Sequence, residues 1–120
     1  MLRLVALLLF VVAVASPARA ESVFVKYRGE VPLDSFECHD TERSSLVGRV
    51  CYDAAQRYMV IKLKETYYHY CEIDAETVAA LLAAKSMGSF YLAHIRGDGE
   101  DGPFDCRSHR IPDYPASAEP

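Results

Sequence analysis

A chain of 120 residues has room for one domain with a modest core and not for two. Its formal charge of −4 argues against a protein that binds nucleic acid by neutralising phosphates, because such proteins present a basic face. Four cysteines, an even number in a small chain, read as two disulfides and so as an oxidising compartment.

The first twenty residues have the layout of a secretory signal peptide: Arg3, an apolar run from Leu4 to Ala15, Pro17, and then Ala18-Arg19-Ala20 before the expected cut. That run is shorter than the roughly 20 residues a membrane-spanning helix needs, and no later stretch is long and apolar enough to span. The expected product is a soluble periplasmic or secreted chain without a membrane span. Since the leader carries two arginines and no acid, the product stands two charges lower, at −6.

Val23, Val25 and Tyr27 alternate with Ser22, Phe24 and Lys26, which predicts a strand halted by Gly29. Residues 30 to 45 mix acids, Pro32 and polar groups around Leu33, Phe36 and Cys38, and read as an irregular extension held by a disulfide. Strands are predicted over Leu46–Tyr52, Arg57–Lys64 and Thr66–Ile73, joined by short turns as an antiparallel meander. In the middle one Met59, Ile61 and Leu63 alternate with Tyr58, Val60 and Lys62, so one face addresses a core.

Asp74 can accept the free N–H groups of a first helical turn, and Glu76 suits the helix dipole there. The helix is predicted to run to about Met87, with Val78, Leu81 and Leu82 as its apolar stripe and Gly88 as a left-handed stop. A shorter helix over roughly Ser89–Ile95 follows. Gly97 to Pro103 reads as an acidic solvated loop, and the proline-bearing end as a disordered tail after about Ile111. The fold class is therefore α+β: an antiparallel meander of three to four strands, with one main and one short helix on one face and two disulfides. The chain divides into a signal peptide (1–20), an N-terminal strand with its extension (21–43), the main domain (44–107) and a tail (108–120).

Tyr68 and Tyr70 lie two apart on a strand and share a face. If that face also carries Met59, Ile61 and Leu63, the rings belong to the core; if it is open, they form a stacking platform for unpaired bases. Tyr67, His69 and Cys71 occupy the opposite face, which the amino-terminal strand or residues 31 to 38 are expected to cover. His69 has no second histidine at ligand spacing, no cysteine pair has C-x-x-C spacing, and no metal or cofactor is expected. Ser44, Ser45 and Ser86 lack a nucleophile elbow and read as turn or cap residues, so no catalytic residue is assigned. His94, Arg96, His109 and Arg110 form a further polar set. The candidate binding residues are Tyr68, His69, Tyr70 and Arg96. Among the cysteines, Cys51 to Cys71 is disfavoured because the outer strands of a meander stand too far apart to be bridged. Cys38/Cys51 with Cys71/Cys106, and Cys38/Cys71 with Cys51/Cys106, both remain open.

Residues Ser44 to Ile95 resemble the KTSC domain, a short module found at the C-terminus of some lysyl-tRNA synthetases and as a stand-alone bacterial protein. The resemblance is carried by Ser44-Ser45, Tyr52-Asp53, the Met59/Ile61/Leu63 strand, Tyr68-His69-Tyr70, Ala84-x-Ser86-x-Gly88 and Ile95-Arg96. The chain departs from the family pattern at Leu92, where an asparagine is frequent, and in lacking a hairpin glycine near Glu65. The family resemblance implies RNA binding through Tyr68 and Tyr70. The residues themselves, with export and acidity, imply a small non-enzymatic binding or interaction module whose partner is a protein or an envelope component.

Overall fold

The computed structural model describes residues 5–13, 21–97 and 102–115. The ends of the expected leader, residues 98–101 of the acidic loop and the last five residues of the tail lie outside them. Residues 5–13 carry no regular secondary structure. No helix among the described residues is long and apolar enough to cross a membrane.

The meander is present: β4 (Val47–Asp53), β5 (Tyr58–Leu63) and β6 (Thr66–Tyr70) pair antiparallel in sequence order. It is the middle of a larger sheet. β1 (Ser22–Val25), β2 (Gly29–Pro32) and β3 (Glu37–Asp40) complete six strands in the order β2-β1-β6-β5-β4-β3. The sheet is mixed, since β1 runs parallel to β6 through Val25 and Tyr67. This corrects the expectation of three to four antiparallel strands. The two edge strands that were not foreseen, β2 and β3, are four residues long with few apolar side chains, as short sheet edges commonly are, and leave too little alternation to be read. Pro32 closes β2 on the outermost edge, where its missing N–H costs no ladder bond.

The helical region is also divided differently. α1 (Ala75–Ala83) starts as expected, with the Asp74 carboxylate accepting from the Thr77 N–H at 3.1 Å. It stops at Ala84, whose backbone is extended, and the Arg43 guanidinium caps the last turn by donating to the carbonyls of Leu82 and Ala84. Ser86 then caps α2 (Met87–Phe90), which passes directly into a π-helical stretch, Tyr91–Arg96. Gly88 is inside α2 and not a left-handed stop; it lies close to Leu46, where a Cβ would stand 3.5 Å from that side chain. Both helices do cover one face, as the apolar stripe implies.

Two cores result, one on each side of the sheet. Val50, Met59, Ile61 and Ile73 meet Val78, Leu81, Met87, Tyr91 and Ile95 under the helices. On the reverse, Cys51, Tyr58, Val60 and Cys71 meet Val23, Val25, Val31 and Leu33 of the amino-terminal hairpin. The chain's end closes this second core. Pro112 is buried, and Tyr114 packs on Phe36 and Tyr58 while donating to the Asp53 carboxylate at 2.9 Å. Order therefore continues past Ile111, because a proline-rich segment carrying one tyrosine and one hydrogen bond can still be held down by a preformed aromatic surface.

Candidate functional site at the free edge of a strand

The antiparallel register with β5 makes Tyr68 and Tyr70 hydrogen-bonded partners of Ile61 and Met59, and turns the N–H and C=O of Tyr67 and His69 toward the other edge. Tyr67 is used there, because its carbonyl accepts from the Lys26 N–H at 2.9 Å. Beyond that point β1 leaves. Tyr27 takes a left-handed conformation (φ 71°), the Arg28 N–H folds back onto the Val25 carbonyl, and the parallel ladder ends. Farther along, the Cys71 N–H donates to the Phe104 carbonyl at 2.8 Å. Between these two closures no described group pairs with the His69 backbone.

A groove of about 590 Å³ lies at this gap. Tyr68, His69 and Tyr70 all line it, which three consecutive strand residues can do only if the groove runs off the strand's edge. Arg96 and Tyr27 flank it, and Asp105, Cys106 and Arg107 form the far wall. Sequence reasoning selected Tyr68, His69, Tyr70 and Arg96, and the fold brings these four together. It did not select Tyr27 or the 102–111 wall, whose presence depends on contacts more than thirty residues away in the chain. The left-handed tyrosine leaves no mark in composition. Gly102 holds the wall against the π-helical stretch: a Cβ there would stand 2.5 Å from the Arg96 carbonyl.

The two tyrosines differ in use. Both are half-buried against the helix-covered core, on the face of Met59 and Ile61. Tyr70 is anchored, its hydroxyl bonded to that of Tyr91 with the rings edge to face, and burial holds its ionisation well above the ordinary range. The Tyr68 ring has Lys26 5.7 Å from its centroid. Tyr27, 83% exposed, lies over the same lysine at 5.3 Å. Arg96 forms no ion pair among the described residues.

His69 faces the second core. Its Nδ1 shares a 2.7 Å hydrogen bond with the Tyr58 hydroxyl, and the rings stand edge to face. Burial, reinforced by the nearby Arg28 cation, pushes its pKa down and keeps the imidazole neutral; Asp105 opposes this weakly. The other polar residues do not join the groove. His94 stacks on Phe90, His109 meets the Glu72 carboxylate, and Arg110 donates to Gln56. Ser44 accepts from the Leu46 and Val47 N–H groups, and Ser86 from Ser89, so both are occupied as turn and cap residues.

The disulfides are Cys38–Cys51 and Cys71–Cys106. Cys51 and Cys71 stand on β4 and just past β6, with β5 between them, which is the geometric reason they do not pair.

Residues 43–98 match the family model of the KTSC domain. No curated protein and no solved structure matches the chain at a significant level. The match spans the meander and both helices. It leaves β1, β2, β3 and the 102–115 segment outside, so each disulfide joins one cysteine within the matched region to one beyond it.

Proposed function

The chain belongs to the KTSC domain family through residues 43–98, and from that premise we propose that it is an exported, non-enzymatic binding module whose groove takes an extended segment of a partner protein. The observation that carries this reading is the His69 backbone, which pairs with no group among the described residues. A strand edge with a free N–H and C=O, inside a groove, supplies main-chain hydrogen bonds to an extended peptide, and flanking pockets supply selectivity. Tyr27 and Tyr68 offer apolar surface with polar tips, and Arg96 offers a cation for an acidic side chain or a terminal carboxylate. Export to the periplasm or medium accords with two disulfides that staple the added segments to the family module. The engagement of Ser44, Ser86 and His69 in turn, cap and core contacts supports a binding role over a catalytic one.

Selection of short peptides from a displayed library against the mature protein tests the reading. Selected binders are expected to protect the His69 amide from hydrogen exchange and to lose about tenfold in affinity on Arg96→Glu. Binders that leave that amide unprotected would show the groove is not the site.

A second reading, single-stranded RNA binding, is favoured by one arrangement: Lys26 beside two accessible tyrosine rings, Tyr27 and Tyr68. Stacked bases and a nearby cation are how such strands are held. Oligouridine affinity that falls steeply with salt and collapses on Tyr68→Ala would select this reading over the peptide one.

A further inference from the structure

We propose that the His69 side chain, Cys71 and Cys106 form a redox-gated metal site, closed while the cysteines are bridged and open to a borderline-soft divalent cation such as zinc once they are reduced. This goes beyond the peptide reading and does not depend on it. The ligand atoms of the three residues all lie within 4.8 Å of one another, the only such grouping among the described residues. Two come from alternate positions along one strand direction, so His69 and Cys71 face the same side, and the wall segment delivers Cys106 to them.

The surroundings resemble a prepared ligand shell. With Nδ1 engaged by the Tyr58 hydroxyl, Nε2 is the nitrogen left to ligate, and a ligating imidazole is characteristically oriented through its other nitrogen in this way. Tyr58 is itself fully buried, with Phe36 and Tyr114 packed on its ring and the Arg28 guanidinium 5.1 Å from its centroid. The imidazole is therefore aimed before a metal arrives. Cys106 lines the groove, which lets water complete a four-coordinate shell.

The chemistry balances. A phosphine reductant places two electrons in the S–S bond and leaves as its oxide with the oxygen of a water molecule, while the two water protons cap the sulfurs. Each thiol then surrenders its proton on coordination and His69 contributes a lone pair. One dication, two thiolates and a neutral imidazole form a complex without net charge, and two protons are released.

Cobalt(II) and zinc(II) titrations of the mature protein, before and after phosphine treatment, test this. The reduced protein is expected to show thiolate-to-cobalt charge-transfer absorption and to gain thermal stability with zinc, and the oxidised protein neither. His69→Ala, and independently Tyr58→Phe, which spares the ligands, are each expected to weaken binding by about 10- to 100-fold. Reduced Cys38→Ser/Cys51→Ser protein should still bind, and reduced Cys71→Ser/Cys106→Ser protein should not. The proposal is overturned if the reduced protein takes up no cobalt. It is equally overturned if neither His69→Ala nor Tyr58→Phe moves the affinity, which would mark thiols acting without the folded pocket.

Discussion

The two faces of the sheet solve the same problem by different means. Under the helices, aliphatic side chains from β4, β5, α1 and α2 interdigitate, and polar groups come in at the rim as tyrosine hydroxyls: Tyr70 bonded to Tyr91, and Tyr52 donating to the Ile73 carbonyl. The reverse face is covered by a four-residue hairpin strand pair and a proline-bearing tail, which offer little apolar area. It is held instead by covalent and polar ties: two disulfides, the Tyr58–His69 bond, and Asp53, buried yet accepting from Ser35, Tyr114 and the Gln56 N–H. A face held by burial is hard to modify without loss of the fold. A face held by discrete ties can carry a groove and a redox-responsive site, because its integrity rests on a few bonds and not on seamless packing.

That contrast can be broken at its strong side first. Leu81→Ala removes a wholly buried side chain from the helix-covered core, and a loss of about 3 to 5 kcal/mol is expected in denaturant titrations. A loss under 2 kcal/mol would mean that this face, too, depends on something other than apolar packing. On the reverse face, Cys71→Ser/Cys106→Ser releases a loop closed over 35 residues, and the chain-entropy argument gives about 4 kcal/mol. Cys38→Ser/Cys51→Ser, over 13 residues, should cost about 3 kcal/mol, so an inverted order would show that native packing outweighs loop length here.

A finer probe is Tyr114→Phe, which keeps the ring against Phe36 and Tyr58 and deletes only the bond to Asp53. Since Ser35 still donates to that carboxylate, a loss of about 1 kcal/mol is expected by the same titration. The smallest effect is a pH slope. The unfolded chain takes up the His69 proton near the ordinary 6.5, whereas burial delays it in the folded state to lower pH. The unfolded state then holds more protons, so stability is full above about 6.5 and declines as pH falls below it. His69→Gln should flatten that decline between pH 6.5 and 5, ahead of the carboxylates Glu21, Glu72 and Asp74, whose lowered pKa values act in more acid solution. An unchanged slope would place the proton uptake elsewhere.

Much of the helix-covered face was legible in the chain. The alternation of Met59, Ile61 and Leu63 and the Asp74 cap are local signals, generated by strand and helix periods and by a single side-chain hydrogen bond. They left open whether Tyr68 and Tyr70 face a core or an open platform, which the strand register decides by setting both on the face of Met59 and Ile61. The edge strands were not legible, because Gly29–Pro32 and Glu37–Asp40 gain their strand character from the neighbours they pair with. Gly88 was misread for a related reason: a glycine signals either a left-handed turn or a close approach, and only the neighbouring Leu46 distinguishes them. The metal-capable set escaped too, since the chain separates Cys106 from Cys71 by more than thirty residues and no local spacing announces the third ligand.

The amino-acid sequence by itself determined the meander, the start of the main helix, the even cysteine count and the family module, since each rests on periodicity, capping or pairing rules that act over a few residues. Tertiary structure alone decided which cysteines join, that β1 departs from β6 at Tyr27, and that residues 102–111 stand opposite His69. Those outcomes follow from where distant segments find apolar surface and unpaired backbone, a competition among alternatives that no short stretch of sequence encodes.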